Sequence, residues 1–157
     1  MFVESYSGPV TPCEGLALDD VLYGFTVGGA PSLDCTVGTV AGPGNTNDIH
    51  PPNIEGTAAG VLHLTFDQPT TDVSFGVALS TPVSPQTNSV IVNLYRPGAG
   101  LLRQELFLTT TSDPLFVGGR FVYSGPIVKS VTIQFSGPYT RFVLDDLSYF
   151  RAPGHVK

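Results

Sequence analysis

The sequence predicts an all-β protein, an antiparallel β-sandwich with little or no helix. Segments rich in Val, Thr, Phe and Tyr recur along the chain, and in several of them apolar and polar residues alternate as in a strand with one buried face. Turn-forming Gly (18 residues) and Pro (14 residues) separate these segments, at the spacing of about 8–12 residues that is typical of sandwich strands. No stretch shows a helical period.

Composition limits the functional classes. At 157 residues the chain suits one domain, residues 1–157, with a sizeable core, and a hydrophobic content of 41% excludes intrinsic disorder. The net charge is −6 without a basic cluster, which excludes a nucleic-acid partner because phosphate binding needs Lys and Arg. No apolar run approaches the about 20 residues of a membrane-spanning helix.

In the N-terminal part, strands are predicted at residues 2–6 and 22–27 and within residues 32–40. Residues 16–21 fit either a short helix or an irregular loop. Residues 41–59 contain Gly, Pro, Asn and Asp throughout and show no periodicity, so they are predicted to form one long loop. Loops of that length in compact domains are usually functional or mobile.

From residue 60 onward the alternation is regular. Strands are predicted at residues 60–66 and 73–79, joined by a turn at Asp67-Gln68-Pro69. In the second of these strands the apolar side chains are expected to point inward: Val73, Phe75, Val77 and Leu79. The remaining predicted strands are residues 90–95, 101–109, 116–117, 120–123, 127–135 and 141–150.

The last predicted strand carries two adjacent carboxylates, Asp145 and Asp146, between leucines. Neighbouring strand residues point to opposite faces, so one of the two should face inward or lie at the rim of the sheet. A buried carboxylate costs several kcal/mol unless a cation or several donors compensate it. Ca2+, which binds oxygen ligands in irregular geometry, is the predicted partner. The alternative is that backbone N–H groups, Arg141 or Arg151 compensate the pair.

The two cysteines, Cys13 and Cys35, predict one disulfide that closes a loop of about 20 residues. The alternative is a pair of buried free thiols. A disulfide and a charge-poor composition, with only 13% charged residues, are typical of proteins that are secreted or on the cell surface. The first residues lack the basic and apolar regions of a signal peptide, so the chain is expected to be a mature domain.

Four pieces of the sequence carry a resemblance to a known family: Phe-x-Glu at residues 2–4, Tyr-Gly-Phe-Thr at 23–26, the segment at 60–75, and Phe-Val-Leu-Asp-Asp-Leu-Ser-Tyr-Phe at 142–150. The chain resembles bacterial secreted jelly-roll domains of the galactose-binding-like type. It is also loosely similar to the calcium-stabilised carbohydrate-binding modules built on the same sandwich. The resemblance implies a jelly roll and a carbohydrate or another cell-surface ligand.

The resemblance also implies a structural Ca2+ at one edge of the sandwich, where the first and last strands pair. By position its ligands would be Glu4 and Asp145, with Asp146 as the alternative to Asp145, together with carbonyls of the loop after the first strand. Asp20, in the second acidic pair of the chain, is a further candidate without a counterpart in the family.

Candidate ligand-binding residues are Tyr95 and Arg96, beside a predicted turn, and His50 and Asn53 of the long loop. Trp, the strongest aromatic platform, is absent, so a Tyr would have to supply the ring. The alternative for Tyr95 is an ordinary surface residue with its ring half-packed and its hydroxyl in water. His63 is expected to be a surface or rim residue.

The sequence favours a non-catalytic binding module over two other interpretations. One is a structural or adhesive surface domain without a small ligand. The other is a small hydrolase that uses the loop around His50. No Gly-x-Ser-x-Gly nucleophile motif is present, and nothing in the sequence brings two carboxyl groups together across a cleft as a glycosidase requires.

Overall fold

The computed structural model describes residues 2–40, 49–80, 90–98, 100–107, 110–113, 116–135 and 140–150. These residues contain no helix, which confirms the all-β prediction, and hence no helix suited to crossing a membrane. The strands are β1 (Phe2–Val3), β2 (Thr11–Pro12), β3 (Ala17–Leu18), β4 (Val21–Val27), β5 (Ala30–Pro31), β6 (Cys35–Thr39), β7 (Asn53–Thr57), β8 (Gly60–Ser80), β9 (Val90–Tyr95), β10 (Leu101–Phe107), β11 (Thr110–Asp113), β12 (Phe116–Phe135) and β13 (Arg141–Tyr149).

The strands form one antiparallel sheet that folds over into two layers. Its main path is β10-β9-β12-β8-β13-β7-β6-β2, and β4 lies off this path and pairs with residues 60–66 of β8. The first layer contains β4, residues 60–66 of β8, residues 130–135 of β12, and β9. The second layer contains the other halves of β8 and β12 together with β13, β7 and β6. The two long strands therefore pass from one layer to the other.

The predicted turn at Asp67-Gln68-Pro69 is wrong, because β8 continues through it for 21 residues. The strands predicted separately at 120–123 and 127–135 are likewise one strand, β12. At this corner the pairing of β12 with β8 is interrupted by register shifts between Ser124 and Ser130. Pro69 is tolerated there because no described β12 residue pairs with it, so its missing N–H leaves no bond unmade.

The space between the layers holds the core. The four side chains of β8 that were predicted to point inward are all fully buried: Val73, Phe75, Val77 and Leu79. Aromatic rings join the layers, since Phe142 of β13 lies 5.9 Å from Phe25 of β4 and 4.3 Å from Phe135 of β12, measured between ring centroids. Burial of this aromatic and aliphatic surface is the main stabilising contribution to such a fold.

Two further predictions are corrected. The loop predicted at 41–59 contains the strand β7, which pairs with β6 on one side and β13 on the other. Its sequence, Asn-Ile-Glu-Gly-Thr, has weak local strand preference, so its neighbours determine its conformation. Residues 41–48 lie outside the described residues. Residues 16–21 form no helix; β3 and the start of β4 make a tight hairpin, with Asp19 at a φ of 53°. The short strand β11 was not predicted.

The disulfide between Cys13 and Cys35 is confirmed, and the two Cα atoms lie 5.4 Å apart. Both cysteines are buried, and the N–H of Cys13 donates to the carbonyl of Cys35 at 2.9 Å. The bond fastens the residues after β2 to the start of β6. These strands share only two register pairs, Thr11 with Val37 and Pro12 with Thr36.

Candidate metal centre and binding groove

The acidic pair lies at a bulge in β13. Leu144 before the pair and Leu147 after it both pack in the core, although an unbroken strand would place residues three apart on opposite faces. The register with β8 shifts between Asp145 and Ser148, and Asp146 has a φ of 52°. The bulge adds one residue to the strand and resets the alternation. The leucines on both sides of the acidic pair can therefore face the core.

The segment before β7 covers this bulge. Ile49 is buried against Val143 of β13 in a small cluster separate from the main core. The N–H of His50 donates to Asp145 Oδ2 at 2.7 Å, and its ring Nδ1 lies 2.7 Å from Asp146 Oδ2. Asp145 is thereby only 1% exposed.

The charge of this pair is incompletely compensated. Burial raises the pKa of Asp145 to about 6, although N–H groups of Asp146 and His50 act in the opposite direction. Arg120 Nη2 lies 3.4 Å from Asp146 Oδ2. Arg141 does not serve the pair, because its guanidinium binds Glu55 instead. Arg151 lies outside the described residues.

Three potential metal ligands converge at the bulge. One ligand atom each from His50, Asp145 and Asp146 lies within 4.8 Å of the other two. The His50 ring is hydrogen-bonded to Asp146. Within the described part of the chain, no hydroxyl group hydrogen-bonds to that ring. A hydrolase that uses His50 would need such a hydroxyl, or a thiol, as its nucleophile.

The other two predicted metal ligands, Glu4 and Asp20, lie near the end of β13, where β1 pairs with it. β1 pairs with β13, and the N–H of Glu4 donates to the carbonyl of Leu147 at 2.8 Å. Glu4 and Asp20 are both buried. The Tyr149 hydroxyl joins them, since it donates to Glu4 Oε1 at 3.3 Å and accepts from the N–H of Asp20 at 3.4 Å. The pairing of the first and last strands is therefore as predicted.

The buried Tyr6 is affected by the charges of both Glu4 and Asp145. Its hydroxyl lies 3.1 Å from that of Tyr23, inside the core. Burial raises the pKa of Tyr6 well above its usual value, and Tyr23 and the negative charges of Glu4 and Asp145 raise it further. Both carboxylates thus act on one buried hydroxyl, although Glu4 is not a member of the three-ligand cluster.

A groove crosses the outer face of the first layer. Strand register aligns two rows of residues over β4, β8, β12 and β9: Gly24, His63, Thr132 and Asn93 in one row, and Leu22, Thr65, Ser130 and Tyr95 in the other. Part of these rows lines an open cavity of about 250 Å³, and its lining residues include His63, Thr65, Tyr95, Ser130 and Thr132. The strand backbones form its floor, which makes the groove rigid.

The groove combines apolar and polar groups. Tyr95 lines the cavity, and Leu22, which is 49% exposed, is at the other end of the same row of residues. Between them are the hydroxyls of Thr65 and Ser130, which have no protein hydrogen-bond partner among the described residues. Thr132 accepts a long hydrogen bond of 3.5 Å from the Asn93 amide. An amphipathic ligand suits such a surface.

The predicted ligand residues are not brought together. Tyr95 lines the groove, and Arg96 follows it as an exposed residue at the beginning of a turn. His50 belongs to the bulge of β13. Asn53 is 0% exposed, which leaves it out of reach of a ligand bound at the surface. Sequence reasoning missed the hydroxyls of the groove, because its only local signal was the outward half of an ordinary strand alternation.

No protein-family profile matches the chain, and no curated protein sequence matches it. Among solved structures, the K2 cleaved adhesin domain of Lys-gingipain is similar, with a TM-score of 0.52, 13% sequence identity, and coverage of 96% of this chain and 98% of that chain. A family 16 carbohydrate-binding module gives a TM-score of 0.43 and 16% identity over 75% of this chain and 86% of that chain. The chain therefore has a β-sandwich fold similar to that of the K2 domain.

Proposed function

We propose that the protein is a non-catalytic extracellular module that binds carbohydrate in the groove beside Tyr95 and is stabilised by Ca2+ at the bulge of β13. The observation that carries the binding proposal is the groove itself: an aromatic ring, hydroxyl groups and an imidazole on the outer face of four paired strands. The disulfide agrees with an extracellular location.

Sugar rings present an apolar face and a rim of hydroxyls, and the groove offers groups for both. The ring of Tyr95 packs against an apolar face, while the hydroxyls of Thr65 and Ser130 exchange hydrogen bonds with the rim. All three side chains stand on strands, so little conformational entropy is lost when the ligand binds.

The test is glycan binding by wild type and by Tyr95→Ala, first on a glycan array and then by calorimetry with the best ligand. We expect Tyr95→Ala to weaken binding about tenfold or more, equivalent to at least about 1.4 kcal/mol. Tyr95→Phe, which keeps the ring, should retain most of the affinity. Val122→Ala, at an exposed site of the second layer, is the matched control and should leave binding unchanged. Equal affinity of wild type and Tyr95→Ala would contradict the proposal.

The calcium proposal is supported by the unmet charge at the bulge. Asp145 is buried with its pKa raised to about 6, so its ionised form lacks compensation that a cation would supply. Asp145 and Asp146 would hold the ion, with Glu4 or Asp20 from the neighbouring strand and turn as further oxygen donors. The imidazole of His50 does not suit Ca2+, which prefers oxygen, so its ring would remain outside the ligand set. The ion would offset the negative charge and fasten the first strand to the last.

Thermal unfolding in Ca2+ and in EDTA tests this proposal. Calcium at 100 times its dissociation constant should add about 2.7 kcal/mol to the free energy of unfolding, and raise Tm by about 5–10 °C for a chain of this size. Asp145→Asn should abolish the shift, whereas Asp67→Asn, an exposed acid at the corner of β8, should retain it. Coincident melts of wild type in Ca2+ and in EDTA would show that protein donors alone serve the acidic pair.

A further inference from the structure

We propose that Glu14 is a ligand-binding residue of the groove and that its carboxylate restricts the ligand to neutral glycans. The inference rests on the proposed carbohydrate binding and names the class of the ligand. Three features support it: the position of Glu14 beside Gly24, the unused hydrogen-bonding atoms of Glu14 and His63, and the charge of the groove.

Glu14 lies beside Gly24 of β4, next to the row of the groove that contains His63. Its Oε1 accepts the N–H of Phe25 at 2.9 Å, at a place where neither β3 nor β5 pairs with β4. A Cβ added at Gly24 would lie 3.5 Å from Glu14 Oε1 and 3.5 Å from His63 Cβ. A side chain at position 24 would therefore fill the space between the Glu14 carboxylate and the His63 side chain. This space continues the row that runs through His63 and Thr132.

The tight turn around Glu14 holds its side chain in this position. The preceding Cys13 is fixed by its disulfide, and the N–H of Leu16 donates to the carbonyl of Cys13 at 3.0 Å. The N–H of Gly15 donates to the carbonyl of Tyr23 at 3.0 Å. Because backbone and covalent links surround Glu14, its carboxylate is placed before any ligand arrives, which favours binding.

Both polar side chains next to Gly24 have atoms available to a ligand. Within the described residues, Glu14 Oε2 has no hydrogen-bond partner, since the single bond of Glu14 is made through Oε1. His63 Nε2 lies 3.1 Å from Thr26 Oγ1, and its Nδ1 has no partner in the same part of the chain. A carboxylate oxygen accepts sugar hydroxyls in charge-assisted hydrogen bonds, which are stronger than neutral ones. The Nδ1 atom of His63 adds a second group that can hydrogen-bond to the ligand.

The charge of the groove disfavours anionic ligands. No Lys or Arg lines the cavity within the part of the chain that the structure describes. Burial lowers the pKa of His63, although Glu14 acts in the opposite direction, so the imidazole is neutral at pH 7. The backbone of Arg96, which follows Tyr95, lies three strand spacings from β4, about 14 Å, and Arg96 does not line the cavity. A uronate or sulfated sugar beside Glu14 would therefore meet uncompensated like charge.

The test compares wild type, Glu14→Gln, Gly24→Val and Tyr95→Ala, each as the full chain, against paired neutral and uronate-containing oligosaccharides by calorimetry. Wild type should bind the neutral member more tightly. Glu14→Gln keeps an oxygen acceptor for the N–H of Phe25 and should weaken neutral binding about 10–100-fold, the range expected for a hydrogen bond to a charged group. It should also narrow the preference for the neutral ligand.

Gly24→Val fills the space without removing the carboxylate and should weaken binding comparably. A thermal melt checks that each variant is folded. Wild-type affinity in both Glu14→Gln and Gly24→Val, with binding lost in Tyr95→Ala, would overturn this inference and leave the proposed function standing. An absence of glycan binding by wild type would instead overturn the proposed function and the inference with it. Tighter binding of the uronate ligand by wild type would contradict only the claim that the ligand is restricted to neutral glycans.

Discussion

Gly60, the first residue of β8, lies next to the buried ring of Phe25. A Cβ at this position would meet Phe25 Cζ at 2.1 Å and two further ring atoms within 2.8 Å, and Phe25 is fully buried. A side chain there must displace an aromatic ring in a close-packed core, and such overpacking costs about 1–3 kcal/mol. We predict that Gly60→Ala lowers the free energy of unfolding by at least this amount, measured by urea denaturation.

Gly24→Ala is the matched control for Gly60→Ala. Both glycines lie in the first layer, but a Cβ at position 24 makes ordinary contacts of 3.5 Å toward the open groove. Ala also reduces the conformational entropy of the unfolded chain relative to Gly. Gly24→Ala should therefore be neutral or slightly stabilising. Equal destabilisation by the two substitutions would show that a general intolerance of Cβ atoms in these strands, and not the ring of Phe25, determines the result.

The acidic pair shows how far a residue-level argument from sequence reaches. That one of Asp145 and Asp146 would be buried follows from strand alternation, and Asp145 is buried. The bulge that resets the alternation has no local signal, since Asp146 adopts a positive φ in a stretch without Gly. The segment that covers the bulge contains His50, which is 95 positions away from Asp145 in the sequence. Contacts at that separation depend on strand order, which no local pattern contains.

At the scale of elements, the same residues can signal a turn or a corner. Asp67-Gln68-Pro69 has the composition of a hairpin turn, and β8 instead uses it to pass from one layer to the other. The inward set of β8 was predictable because alternation depends only on the strand itself. The corner was not, because a chain that bends and continues has the same local sequence as one that bends and returns.

Arg141 of β13 is a second case in which the sequence left the partner of a side chain open. It was one candidate partner of the acidic pair, yet its side chain points to β7 and binds Glu55 through two nitrogens, at 2.6 and 2.7 Å, and Asp34 through a third contact at 2.9 Å. The hydrogen bonds to Glu55 are the largest cause that raises the pKa of Arg141. The side chain is partly exposed, so screening limits its contribution to stability, and its main effect is to align β13, β7 and the approach to β6.

The groove likewise depends on element order. His63 and Thr132 are neighbours only because β12 lies between β8 and β9, an order that is not the order of the chain. Tyr95 could be selected from sequence as an aromatic residue beside a turn. Its partners in the groove could not, because the register that brings Ser130 next to Tyr95 is set by pairing between residues 35 positions apart in the sequence.

At the scale of the whole molecule, the two candidate sites occupy different layers. The groove lies on the first layer, and the acidic bulge lies on the second, where the first strand meets the last. Among the strands of the described residues, β8 and β12 run through both layers. Under the proposed function, an ion would stabilise the fold at one site while the ligand is bound at the other, because neither site supplies residues to the other.

The disulfide is the main constraint on the N-terminal quarter of this sheet. β2 is joined to β6 by two register pairs, and the covalent link between Cys13 and Cys35 closes a loop with a sequence separation of 22. Closing a loop of that length restricts the unfolded chain by about 3 kcal/mol. Reduction should therefore lower Tm by about 6–12 °C.

Differential scanning calorimetry of oxidised protein, reduced protein and the double variant Cys13→Ala/Cys35→Ala measures this contribution and separates its causes. The reduced protein keeps both buried sulfur atoms, so its loss of stability reports the covalent link alone. The double variant also loses the packing of two buried side chains and should be less stable than the reduced protein. Because Glu14 adjoins Cys13, reduction should weaken glycan binding in a protein that is still folded. A reduced protein that melts with the oxidised one would mean that hydrogen bonds such as that from Cys13 N–H to the Cys35 carbonyl are sufficient to hold this region.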